Sequence, residues 1–160
     1  MLLRILPFLF FTICPLFLAC DAPSRKTKFG DSNTVSLYLE ALRPVLQELR
    51  TLDREIESTV SADTVAGDLI VPLIQRQFRP KLVQLQVRVQ QLPTTPELIS
   101  TNLRLLSYLK LRIRAYDLAL EGARDNRPEL FNAFDQKQAQ ADSAARVFEI
   151  SLRKVQESFR

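Results

Sequence analysis

Four breaks at nearly equal spacing constrain this chain more than any other feature. Asn33-Thr34, Ser61-Ala62-Asp63-Thr64, Pro93-Thr94-Thr95-Pro96 and Asp125-Asn126-Arg127-Pro128 are clusters of cap, turn and helix-breaking residues. They recur at intervals of about 32 residues, and each interval carries apolar residues at three- and four-residue spacing, the period of one helix face. The first seam is Val35, Tyr38, Leu42, Val45, Leu49, Leu52 and Ile56. The second is Val71, Ile74, Phe78, Leu82, Leu85, Val89 and Leu92. The third is Leu98, Asn102, Leu105, Leu109, Ile113, Tyr116 and Leu120, with further leucines at 103, 106, 111 and 118. The fourth is Leu130, Phe134, Ala141, Ala144, Phe148, Leu152, Val155 and Phe159.

These seams predict an all-α fold with helices over about 33–60, 64–92, 96–124 and 128–159. Each is roughly 42 Å long at 1.5 Å per residue, and short connections favour an antiparallel up-down-up-down four-helix bundle. A three-helix or extended hairpin arrangement is the alternative. Thr95 is a natural N-cap, with Pro96 in the first helical position and Glu97 behind it. Alanines at 139, 141, 144 and 145 let the fourth helix pack closely. Only the stretch Val83–Gln90 alternates apolar and polar residues as a strand does. No second alternating run exists to pair with it, so a helix is expected there too.

The first twenty residues, MLLRILPFLFFTICPLFLAC, belong to none of these helices. Arg4 is their only charge, and the apolar run Ile5–Ala19 has the length of a signal-peptide core rather than of a membrane-spanning helix. The run ends Phe17-Leu18-Ala19-Cys20. Here the chain resembles bacterial lipoprotein precursors, whose lipobox places a branched apolar residue and a small residue before the modified cysteine. The commonest pattern has Leu three residues before that Cys, where this chain has Phe17.

The resemblance implies cleavage after Ala19, a diacylglycerol on the Cys20 thiol, palmitate-type acylation of the new amino group and a stable lipid anchor. It implies an exported, membrane-anchored protein. Asp21 favours the periplasmic side of the inner membrane, with the outer membrane as the alternative. An ordinary secretory signal and an uncleaved signal-anchor are the competing readings. Cys14 would leave with the signal and Cys20 would carry lipid, so the mature chain would hold no disulfide and no free thiol. Residues 20–32 read as the lipidated cysteine and a flexible tether, in which Arg25, Lys26 and Lys28 lie close to the bilayer.

The net charge of +4 is unevenly divided. Residues 31–68 carry three basic and eight acidic residues, whereas residues 69–116 carry eight basic residues against Glu97 alone. If the second and third helices pair symmetrically about the loop at 93–95, Arg76 is level with Arg112, and Arg79 and Lys81 lie near Lys110. Six cations, Arg76, Arg79, Lys81, Lys110, Arg112 and Arg114, are therefore the candidate partner-binding residues. The plainer alternative is that they pair with the acidic helices and fix the bundle's topology. An acidic protein or an envelope polyanion is the expected partner. Nucleic acid is not, because the protein is expected to be exported and no nucleic-acid-binding motif is present.

Pro44 and Pro80 are expected to lie level on neighbouring helices as matched kinks, and Pro72 to mark the first turn of the second helix. Asn102 and Lys137 fall on or beside core seams and are candidates for setting register. Asp117, Glu121 and Asp125 form an acidic row whose helical spacing does not make an oxygen cage for a cation. The chain contains no histidine, which excludes most catalytic triads and most zinc and di-iron sites. No catalytic residue, cofactor or metal is expected. The architecture is similar to that of small four-helix lipoproteins, including the lumenal photosystem-associated kind, without a motif that assigns the chain to them. The expected role is a non-enzymatic, membrane-tethered binding or scaffold module. The alternatives are a carrier or sensor of an apolar molecule held between the helices and, more remotely, an enzyme using carboxylates alone.

Overall fold

A computed structural model describes residues 25–60 and 67–159. Cys20, the lipobox, the signal segment and the connection at 61–66 lie outside the described residues. The described chain is helical apart from a two-stranded hairpin, β1 (Lys26–Thr27) and β2 (Gly30–Asp31). It continues through α1 (Ser32–Val60), α2 (Gly67–Leu73), a π-helical turn (Ile74–Phe78), α3 (Arg79–Gln90), α4 (Pro96–Arg124) and α5 (Glu129–Phe159). α2, the π turn and α3 follow one another without a break, so there are four helical rods, as the four seams predict.

α4 is the central rod. Its extra leucines give it apolar character over most of its circumference, and residues on several of its faces are buried, from Leu98 to Gly122. Leu106 and Leu118 are buried and Leu111 is half-buried, while Leu103 is exposed. The seams of the other rods close on α4 through Val35, Tyr38, Leu42, Phe78, Leu82, Leu85, Val89, Phe148 and Val155, all within one core. The alternating stretch Val83–Gln90 is helical, with Leu85 and Val89 turned inward.

Small residues bring α4 and α5 close together. Ala115, Ala119 and Ala141 are buried between them, and Thr101 Oγ1 lies 2.7 Å from Ser151 Oγ in the interior. Tyr116 stacks on Phe134 with ring centroids 6.3 Å apart. The turn joining the two helices is equally tight. Asn126 takes the left-handed conformation (φ 51°), and the Arg127 amide donates to the Gly122 carbonyl at 2.9 Å. A Cβ on Gly122 would meet the Arg127 carbonyl oxygen at 3.2 Å and Phe131 at 3.3 Å, so the close return needs glycine.

The segment expected to be a flexible tether is folded from residue 25 onward. The Ser32 amide donates to the Arg25 carbonyl at the open end of the hairpin, and Thr27 Oγ1 donates to the Gly30 carbonyl. Asp31, rather than Asn33 or Thr34, caps α1: its carboxylate accepts from the Asn33 and Thr34 amides and the Thr34 hydroxyl. Thr95 ties the hairpin to α4. Its hydroxyl accepts from the Leu98 amide as the N-cap and donates to the Phe29 carbonyl at 3.0 Å. Gly30, at φ 114°, passes so close to Thr95 that a Cβ there would lie 3.1 Å from its methyl.

The proline expectations are corrected. Lys81 reaches Glu55 and Arg88 reaches Glu48, so Pro80 lies beside Ile56, about three turns of α1 away from Pro44. The second rod includes a π turn and is positioned by its ion pairs, so its register is not symmetrical about the 61–64 break. Pro72 lies at the sixth position of α2, past the first turn. The π turn itself suits Pro80. The Arg79 amide bonds the Ile74 carbonyl five residues back, and the widened turn makes room for a ring that lacks a donor.

Candidate functional site

The six cations singled out in the sequence do not form one band. Arg79 Nε meets Asp117 Oδ1 at 2.5 Å on α4, well beyond the level of Lys110. Asn102 Nδ2 donates to the Val89 carbonyl at 3.0 Å. The α3–α4 register is therefore shifted from symmetry about the loop. Arg76 falls near Leu120 instead of Arg112.

Three of the six are used inside the bundle. Lys81 Nζ donates to Glu55 at 2.6 Å, and Gln77 supports the same carboxylate at 3.3 Å. The Lys81 hydrogen bond holds the Glu55 carboxyl below its ordinary range. Arg79 is paired with Asp117 as above, and a fourth interhelical pair joins Arg88 and Glu48. Pairing that fixes how the helices meet thus accounts for much of the charge segregation between α1 and the basic centre of the chain.

Arg112 is the deepest of them, with a side chain only 9% exposed. Its guanidinium donates to Asp53 on α1 and to the Tyr108 hydroxyl at 2.7 Å, with Tyr116 at 3.4 Å on its other side. It also lies 5.7 Å from the centre of the Tyr108 ring. Burial opposes its charge, but the Tyr108 and Tyr116 oxygens and Asp53 outweigh that opposition and hold the proton more tightly than usual. Burial likewise pushes the Tyr108 hydroxyl up. The sequence did carry a signal for this centre. Tyr108, Arg112 and Tyr116 are spaced by four residues and so lie on one helix face.

Arg76, Lys110 and Arg114 remain exposed, with no carboxylate partner among the described residues. Arg104 on α4 shares that condition. Lys137, expected near a seam, turns to Gln140 at the surface. Asn102 is buried as expected, with its Oδ1 unsatisfied. The Tyr38 hydroxyl is also buried without a partner, and burial pushes it up to about 12.

A second feature was not anticipated. α1 does not close fully onto α5, and clefts run along the seam between them. One, of about 370 Å³, is floored by Leu39, Leu42, Leu46 and Leu152 and edged by Arg43 and Arg50. A second, of about 170 Å³, continues over Leu49, Leu105 and Phe148 and shares Leu46, Arg50 and Leu152 with the first. A third, of about 410 Å³, lies beyond them and is lined by Asp53, Arg112 and Asp142. The sequence signal was faint: Arg43 and Arg50 are seven residues apart, on one face of α1.

Among the described residues there is no cluster of three or more metal-ligating side chains, and no helix is long and apolar enough to cross a membrane. Compared with protein-family models, curated proteins and solved structures, the chain matches none.

Proposed function

We propose that this protein is an exported lipoprotein, acylated at Cys20, whose helical domain is a non-enzymatic binding or scaffold module of the cell envelope. The observation that carries the reading is the set of cations left over after the bundle's own pairing. Arg79, Lys81 and Arg112 have carboxylate partners within the fold, whereas Arg76, Lys110 and Arg114 are exposed without one among the described residues. Those three are the cations left available to an acidic protein or an envelope polyanion.

The domain is an antiparallel up-down-up-down bundle in this reading. Support comes from contacts that run in opposite chain order: Glu48 with Arg88 and Glu55 with Lys81, Val89 with Asn102 and Arg79 with Asp117, Thr101 with Ser151 and Tyr116 with Phe134. The lipid reading rests on the Cys20 motif and on chain length. Four residues separate Cys20 from Arg25, so the five steps between them span at most ~18 Å of extended chain. An acylated Cys20 would therefore hold the hairpin end of the bundle against the bilayer, where Arg25, Lys26 and Lys28 are exposed. The protein would face the periplasm from the inner membrane, following Asp21.

Two experiments test this. In cells fed a radiolabelled fatty acid, the wild-type chain should be labelled and sediment with membranes, and C20A should lose both properties. Retention of C20A in membranes would replace the lipoprotein by a signal-anchored protein. Crosslinking in intact cells should trap a partner through α4 and the π turn, and R76E/K110E/R114E should weaken that product. An unchanged product removes the basic surface from the proposal. The clefts between α1 and α5 support a second reading, a carrier of a small molecule held between helices.

A further inference from the structure

The α1–α5 clefts combine two properties that are seldom needed together. Their floor is apolar, formed by Leu39, Leu42, Leu46 and Leu152 in the first cleft and by Leu49, Leu105 and Phe148 in the second. Their outer edge carries two guanidiniums, Arg43 and Arg50, two turns apart on one face of the same rod. Neither has a carboxylate partner among the described residues, although the interhelical cations Arg79, Lys81, Arg88 and Arg112 all have one. Gln47 and Gln156 line the same edge and supply amide donors and acceptors. No acid lines the first cleft. Asp53, held by Arg112, and Glu149 line the second cleft, neither with an ion pair to Arg50, and so bias an anion toward the Arg43 end.

We infer that this furrow binds an anionic amphiphile, with its carboxylate or phosphate at Arg43 and Arg50 and its acyl chain running over Leu46 and Leu152 toward Phe148. A small inorganic anion has no use for the leucine floor. A neutral hydrocarbon gains nothing from two unpaired guanidiniums, which match a carboxylate or phosphate through paired N–H donors. The two clefts share Leu46, Arg50 and Leu152, so one chain can pass from the first into the second. From Leu39 to Asp53 the furrow follows about 21 Å of α1, the span of an extended acyl chain rather than of a compact metabolite. The inference rests on the carrier reading and gives it a ligand class. It does not depend on lipidation or on the basic surface of α4.

The test uses the full chain in phosphatidylcholine nanodiscs with two photoactivatable probes of equal length, palmitate and hexadecanol. Palmitate should crosslink to the α1 segment around Leu46 and to the α5 segment around Phe148, with the exposed segment around Val87 on α3 as background. R43Q/R50Q should lower palmitate crosslinking about tenfold or more and leave hexadecanol crosslinking as it was. L46W, which fills the furrow and keeps both arginines, should block both probes. Melting curves establish that each variant folds, and the arginine pair is exposed, so that variant is expected to. Equal crosslinking by both probes, insensitive to R43Q/R50Q, overturns the anionic ligand while leaving a carrier. Crosslinking no higher than at Val87 overturns both.

Discussion

α5 and α1 both pack against the rest of the bundle, and they do so by different means. α5 meets α4 through alanines, a buried threonine–serine contact and a stacked aromatic pair, with backbones close and little space between. α1 buries its own apolar seam from Val35 to Leu52, but its polar links are made by long side chains: Glu48 to Arg88, Glu55 to Lys81, and Asp53 to the buried Arg112. Small side chains allow the two helices a close approach. Long charged ones hold the helix at arm's length and leave clefts beside it. The contrast assigns packing stability to α4–α5 and adjustability to α1.

The largest effect should come from removing packing on the closed side. L109A, at a fully buried position on α4, should lose about 2–5 kcal/mol in urea unfolding. L46A, on the cleft floor and half-exposed, should lose about 1 kcal/mol or less, because its surroundings are already open to solvent. Equal losses would erase the distinction. Overfilling gives the next effect. A141L, between α4 and α5, should lose about 1–3 kcal/mol, since the close approach has no room for added methylenes.

D53N should have a smaller effect, about 1–2 kcal/mol, because Asp53 is 36% exposed and Arg112 keeps its Tyr108 and Tyr116 hydroxyl partners. Hydrogen exchange should show its loss of protection confined to α1, and loss spread over α5 as well would contradict the separate roles. Acid should act most gently. The Glu55 carboxyl is held below its ordinary value of 4.5, so its contribution is complete above that value and is lost as pH falls through the lowered one. Asp125 and Glu129, lowered by Arg124 and Arg127 in the α4–α5 turn, follow the same direction. On acidification α1 should nonetheless lose exchange protection first, since α4–α5 keeps its apolar contacts. E55Q should make the α1 response to pH shallower.

Helix number, seams and the Thr95 cap were legible because they depend on residues three and four apart along one strand of chain. Register was not. It depends on which long side chains meet across helices, and on a π turn that no periodicity announces. A symmetrical fold of the sequence therefore put Pro80 beside Pro44 and Arg76 beside Arg112, and both pairs are apart in space. Arg112 read as a surface cation because charge alone does not report depth. Its flanking tyrosines did report it, since two hydroxyls on the same face can receive a guanidinium. The arginines at 43 and 50 were hidden for the opposite reason. They sit on an ordinary exposed face of α1, and only the incomplete closure of α5 gives that face an apolar floor.

The hairpin at residues 26–31 has a mechanical consequence. Tension entering from the N-terminal side reaches Arg25, whose carbonyl is bonded to the Ser32 amide at the open end of the two strands. Force applied there peels the strands apart bond by bond instead of shearing all of them together. The next link in the load path is the Thr95 hydroxyl on the Phe29 carbonyl, which is also the cap of α4. A pull on this protein is thus taken up first by a short, weak zipper and then by one threonine, before any helix in the core is strained.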